Sequence, residues 1–290
     1  MRSRPEAPCP CEAPAAAKRR LLRALSETPP RLDLALLSVA TLEQPELEEE
    51  PVLKELDALA ERVREKGCGS SSTTPPLNLQ LSALRDVLSR EEGFTGDRER
   101  YFCPENSFLQ QVLQRRRGLP ITLGCLYIEV GRRVGVDIFG INFPGHFLIG
   151  AREGSELFVL DPFHGGHSLD TEALETLLSR MAPDLELCPA LLAPATVEQI
   201  TWRVLSNLRR VYLKDHDVER ALGVVELMLT LAPDHPGELR TRAQLCAKLG
   251  AFKAALRDVE RCLELTPDAP DACGLRKARE QLIEKTSQLN

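Results

Sequence analysis

Apolar residues recur at three- and four-residue steps through the first part of the chain. Leu32, Leu34, Leu36 and Leu37 lead into Val39 and Leu42, and Val52, Leu53, Leu56, Leu59, Ala60 and Val63 continue the rhythm. That spacing stacks apolar side chains along one stripe of a helix. Residues 18–66 are therefore read as helical, punctuated at Pro29, Pro30 and Pro45. Gly, Ser, Thr and Pro make a loop of 67–76, and Leu81, Leu84 and Val87 predict a helix over 77–91. After an irregular loop at 93–104, Asn106 or Ser107 caps a helix carrying Phe108, Leu109, Val112 and Leu113, ended by Gly118. Pro120 then opens another helix, a position proline tolerates because the missing N–H would have no partner there. Leu123, Leu126, Tyr127, Val130 and Val134 form one stripe of it, and Ile121, Cys125 and Ile128 line a second face. A helix apolar on two faces belongs in the middle of a domain.

Beyond Gly135 the residues turn β-branched and aromatic. Segments 137–149, broken at Pro144 and Gly145, and 157–160 predict strands, the second ending at Asp161 and Pro162 before a His164-Gly165-Gly166 turn. A helix over 170–181 and a proline-bearing link at 183–194 follow. The C-terminal part repeats itself: Leu231-Ala232-Pro233-Asp234 returns as Leu265-Thr266-Pro267-Asp268, and Ala221-Leu222 as Ala255-Leu256, both after 34 residues. That period, with small residues inside and proline at a helix end, is the tetratricopeptide pattern of paired antiparallel helices. Two such units are few, so the stack needs the preceding domain or a partner to rest against.

Composition narrows the possible functions. The net charge of −6 carries no broad basic excess, which argues against nucleic acid as a partner. No apolar run approaches the ~20 residues that span a bilayer, and the Pro-, Ala- and Glu-rich start lacks the form of a secretory signal. The expected location is the cytoplasm, away from membranes, with residues 1–17 as a disordered tail. The cysteines number nine and are scattered, which argues against a disulfide framework. Cys9 and Cys11 form a C-x-C pair without a second pair nearby, so they give a zinc site little support.

Within 118–166 a helix start, a strand carrying His146 and a strand ending at Asp161 follow in the order of a papain- or transglutaminase-type Cys–His–Asp triad. Such a triad needs a thiol near a helix N-terminus, an imidazole to take its proton and a carboxylate to orient the imidazole. The motifs Tyr101-Phe102-x-Pro104-x-Asn106-Ser107-Phe108-Leu109 and Arg115-Arg116-Arg117-Gly118-Leu119-Pro120-Ile121-Thr122-Leu123 resemble the transglutaminase-like core family that includes the bacterial invasion-regulator B proteins. Tyr127-Ile128-Glu129-Val130, Asn142-Phe143-Pro144-Gly145-His146-Phe147-Leu148 and Asp161-Pro162-Phe163-x-Gly165-Gly166 extend the resemblance in order.

The resemblance implies an α+β papain/transglutaminase-like core with a helical N-terminal part over 18–195, followed by all-α tetratricopeptide-type hairpins over 196–290. In active members the cysteine lies about fifteen residues before the glycine matching Gly135, which lands on Pro120. His146 and Asp161 carry over; the nucleophile does not. Cys125 lies about 7.5 Å further along the helix axis and is read as a core residue. Thr122 is read as a capping or packing residue. Both remain candidate nucleophiles beside His146 and Asp161, and Asn106, Arg117, Tyr127, Glu129 and His164 are candidate pocket residues. The His146–Asp161 pair is open to a structural or a functional reading. A metal shared with His164 and His167 is disfavoured because their spacing is not that of a ligand motif, and no cofactor is expected. The function expected is a non-catalytic scaffold or regulatory protein that binds a protein or peptide through the repeats at 202–268. The alternative is a cysteine- or threonine-dependent hydrolase or acyltransferase using the His146–Asp161 pair.

Overall fold

The computed structural model describes residues 12–67 and 75–288. Residues 1–11 of the expected tail, and with them Cys9, Cys11 and separately Cys68, lie outside the described residues. The first helix, α1 (Glu12–Ser26), starts within the segment read as tail, and its Ala17, Leu21 and Ala24 are fully buried. An apolar stripe reaching back past Lys18 accounts for the longer helix. The chain divides into two compact units. One comprises Arg23–Ala40 and Glu46–Val204; the other comprises the described part of Met1–Leu22, Thr41–Pro45 and Leu205–Asn290.

The first unit opens with α2 (Leu32–Ala40), α3 (Glu49–Gly67) and α4 (Leu77–Arg85), the last continuing as a π-helical turn over Asp86–Glu91. A two-residue strand β1 (Thr95–Gly96) precedes α5 (Leu109–Arg115) and pairs in parallel with β2 (Arg117–Gly118). Next come α6 (Pro120–Val134), β3 (Ile138–Ile141), β4 (Leu148–Glu153), β5 (Glu156–Asp161), β6 (His167–Leu169) and α7 (Thr171–Met181). After β7 (Pro194–Ala195) the chain enters α8 (Val197–Lys214). The five longer-range strands form one antiparallel sheet in the order β6-β5-β4-β3-β7.

The sequence pattern of α5 predicted an end at Gly118. The helix stops earlier, with Arg116 in the left-handed region at φ 58°. The Arg116 guanidinium explains how a non-glycine residue is held there: it pairs with Glu55 at 3.0 Å and Glu92 at 3.1 Å and lies 4.6 Å from the centre of the Phe94 ring. Gly118 instead enters the parallel pair opposite Gly96.

Every residue of α6 from Pro120 to Gly131 is buried. The helix approaches the sheet closely because Gly124 lacks a side chain: an added Cβ would lie 2.6 Å from the Phe147 ring. Gly140 on β3 leaves the same room for that ring, again at 2.6 Å. Phe147 thus wedges between helix and sheet, at the point where the chain passes from His146 into β4.

The other end of α6 is fastened by charge. Asp33, fully buried at the start of α2, accepts from Arg31 at 2.9 and 2.8 Å and from Arg133 at 2.7 Å. Glu129 accepts from Arg132 at 2.8 Å and from the Asp33 amide at 3.3 Å. Burial alone would raise the Asp33 carboxyl, but hydrogen bonds from Arg31 and Arg133 outweigh it and bring it down to about 2. Burial, and then the Asp33 charge, push Glu129 the other way, above its usual range.

The second unit holds the far half of α8 and four further helices: α9 (Val218–Leu231), α10 (Pro236–Lys248), α11 (Phe252–Leu265) and α12 (Ala272–Gln288). The alanines one repeat apart, Ala221 and Ala255, are both fully buried, as close packing of paired helices requires. Arg242 grips Asp258 through two 2.7 Å bonds between α10 and α11. The segment Thr41–Pro45 belongs to this unit: Glu43 accepts from the Tyr212 hydroxyl at 2.7 Å and pairs with Arg220 at 3.0 Å. The two repeat pairs therefore do not stand alone.

Asp33 has a folded carboxyl below its unfolded value of about 3.9, so it contributes stability above pH ~4 that is lost as pH falls toward 2. Asp33→Asn is expected to cost about 3 kcal/mol or more at pH 7, because Arg31 and Arg133 lose a buried partner. In urea unfolding followed by circular dichroism, the gap to the parent protein closes between pH 4 and pH 2.

Candidate functional site

His146 lies in the turn between β3 and β4. That turn is shaped by Gly145 at φ 66° and closed by the His146 amide donating to the Phe143 carbonyl at 3.1 Å. Asp161 is the last residue of β5. It caps a single 3-10 turn, Pro162–His164, by accepting from the amides of Phe163 at 3.0 Å and His164 at 3.3 Å on Oδ1. The other carboxylate oxygen, Oδ2, faces two imidazoles: His146 Nε2 at 3.0 Å and His164 Nδ1 at 2.6 Å. Burial would raise this carboxyl, but the two histidines hold it below its ordinary value. A charged carboxylate only accepts, so the facing nitrogens, Nε2 of His146 and Nδ1 of His164, donate to it.

The surroundings are aromatic. The Phe163 ring lies edge-on to His146, with centroids 6.1 Å apart, and edge-on to His164 at 5.1 Å. It rests on Gly96, where an added Cβ would come within 2.4 Å of it. Gly96 pairs with Gly118, two residues before Pro120. The start of α6 is therefore linked to the histidine pair through one ring and one strand contact. His146 is nearly sealed, whereas the His164 side chain is 44% exposed. A cleft of about 480 Å³, bounded by residues 95–99, Arg117 and the turn 163–165, opens beside His164.

At the start of α6, Leu119 is the capping residue and Pro120 the first helical one. The Thr122 hydroxyl accepts from the Leu119 amide at 2.9 Å and donates to the Asn106 carbonyl at 2.7 Å, so it closes the helix N-terminus. Cys125 is wholly buried, and desolvation, followed by the negative charge of Glu129, pushes its thiol far above the ordinary range.

The pocket candidates separate. His164 joins the pair, Arg117 lines the cleft, and Tyr127 points its buried ring at Gly166, behind the turn. Asn106 braces the loop, donating to the Arg100 carbonyl at 2.7 Å and accepting from Arg115 at 2.9 Å. Glu129 belongs to the Asp33 cluster and not to this site. Among the described residues His167 stands opposite Asp161 on β6, exposed, and is not one of the three groups that converge.

Against this geometry, comparison with known proteins is direct. The transglutaminase-like superfamily profile matches residues 50–206, and a tetratricopeptide-repeat profile matches residues 208–282. The chain belongs to the transglutaminase-like superfamily. Within it, a UPF0162 protein of Xylella fastidiosa is 38% identical over 65% of this chain and 69% of its own length. A UPF0162 protein of Pseudomonas aeruginosa is 30% identical over 93% of this chain and 98% of its own. Protein SirB1 of Salmonella typhimurium is 29% identical over 66% of this chain and 71% of its own. The transglutaminase-like core and the C-terminal repeat helices expected from the sequence are both present.

One contributor to this transglutaminase-like site left no signal in its own segment. Arg203 on α8 donates to the carbonyls of His146 at 2.6 Å and Phe143 at 3.2 Å, and lies 5.9 Å from the Phe147 ring. It clamps the turn that carries His146 from a helix 57 residues away. An arginine in an amphipathic helix reads as a solvated residue unless the tertiary contact is known.

In the native protein at pH 8, iodoacetamide is expected to leave Cys125 unlabelled while labelling exposed Cys188 and Cys273. Peptide mass mapping checks this, and Cys125 becomes labelled only after denaturation.

Proposed function

We propose that this protein is a non-catalytic transglutaminase-like scaffold that binds a protein or peptide partner through its helical repeats. The observation carrying the reading is Pro120 at the head of α6, where the triad chemistry requires a thiol. Thr122 is committed to the helix cap, and Cys125 is sealed and uncharged, so neither supplies an attacking atom. The retained His146–Asp161 pair has no thiol to activate, and Asp161 instead engages two backbone amides and two imidazoles at once.

The repeats offer the surface. Tetratricopeptide helices stack into concave faces suited to extended or helical peptides. Between α10, α11 and α12 lies a groove of about 340 Å³, apolar along Ala243, Ala247, Val259, Ala278 and Leu282, with Lys285 beside it. No described helix is long and apolar enough to cross a membrane.

Two measurements test the reading. Purified protein offered amide, ester and peptidyl-glutamine substrates is expected to give no turnover above a blank, and His146→Ala the same trace; turnover that His146→Ala abolishes contradicts the scaffold. Screening a labelled peptide library is expected to yield ligands whose binding falls at least tenfold in Ala247→Glu and is unchanged in His146→Ala. Ligands insensitive to Ala247→Glu place recognition elsewhere.

A further inference from the structure

We propose that His146, Asp161 and His164 are the three protein ligands of a divalent transition-metal ion of the zinc class, bound with an open coordination position facing the cleft beside His164. The inference concerns the transglutaminase-like unit alone and does not depend on partner binding by the repeats.

The donor set comes first. Two imidazole nitrogens and one carboxylate oxygen suit zinc, cobalt(II) and iron(II), and a three-ligand site leaves one or more positions for water or a substrate atom. The atoms already converge: one nitrogen from each histidine and a carboxylate oxygen lie within 4.8 Å of one another. Bonds of about 2.0–2.2 Å at tetrahedral angles separate ligand atoms by about 3.3–3.6 Å. The carboxylate oxygen, now 3.0 and 2.6 Å from the two nitrogens, would step back by a few tenths of an ångström to a full ångström, and the imidazoles would turn inward. A ligating nitrogen carries no proton, so each imidazole would hold its N–H on its other nitrogen.

The surrounding groups are of the kind that supports a bound metal ion. Metal-bound carboxylates are oriented by further hydrogen bonds, and Asp161 Oδ1 is held by the amides of Phe163 and His164. The His146 turn is fixed by Arg203. His164 stands on a turn tied to Asp161 at both ends, its own amide donating to Oδ1 at 3.3 Å and the Gly166 amide donating to the Asp161 carbonyl at 2.8 Å. The approach past His164 is open: that side chain is half exposed and borders the cleft, which gives an ion a route in and a small ligand a place to sit. A purely structural His146–Asp161 bond would require none of the second imidazole, which nonetheless makes the shorter contact.

The full-length protein, stripped with chelator and dialysed, is titrated with Co²⁺ and followed by its visible absorption. One equivalent is expected to bind with the intense bands of four- or five-coordinate cobalt, without thiolate-to-cobalt charge transfer, and Zn²⁺ to displace it. His164→Ala, at a half-exposed position and checked for native circular dichroism, is expected to weaken binding at least ~10-fold, by analogy with the loss of metal-site groups. His146→Gln serves as the second variant, with the same expectation. Binding that persists unchanged in His164→Ala, a charge-transfer band reporting cysteine ligands, or no binding in excess Co²⁺ each overturns the site.

Discussion

The complete burial of the first twelve residues of α6 is the constraint on which the rest of the structure depends. A helix with no solvent face must be met on all sides, and the sequence supplies each contact differently. Gly124 admits the Phe147 ring, Gly131 admits Ile138, and the arginines at the far end reach Asp33 and Glu129. The same burial fixes the chemistry of the helix. A thiol inside it, at Cys125, is held neutral by desolvation, and a hydroxyl near its start, at Thr122, is consumed by the backbone groups it must satisfy. Proline occupies the first helical position.

Asp161 organises the opposite wall. One carboxylate at a strand end satisfies two amides and two imidazoles, and so couples the β5 terminus, the following turn and the β3–β4 turn into one rigid element. Its charge is retained because those partners outweigh its burial. The proposed metal position lies at the cleft face of His164, and the scaffold proposal rests on Pro120 at the head of α6. The two features are compatible in one fold because they sit on different elements.

Much of this was legible in the sequence. The two-faced apolar pattern of α6 signalled its central place, proline marked its first turn, and Asp161 closed its strand, whereas His146, read as carried on a strand, lies in the turn between β3 and β4. The 34-residue interval exposed the repeat helices. What escaped reading was set by contacts between distant segments. The strands β6 and β7 and the β1–β2 pair are too short to carry a period, and they exist because a neighbour supplies the ladder. Arg116 ends α5 through partners drawn from α3 and the π-helical turn region, which no local rule announces. Glu129 looked like a pocket residue on its helix face, yet Asp33, 96 residues earlier, drew it into a separate ionic cluster. Arg203 was hidden for the same reason.

The scaffold proposal rests on Pro120 standing where the triad chemistry requires a thiol. Installing it by Pro120→Cys and measuring the pH dependence of alkylation at that position tests this most directly. The account predicts a thiol that titrates clearly below the ordinary value of about 8.5, with the depression lost when His146→Ala is added. A thiol at position 120 that titrates at or above the ordinary value, indifferent to His146, would contradict it.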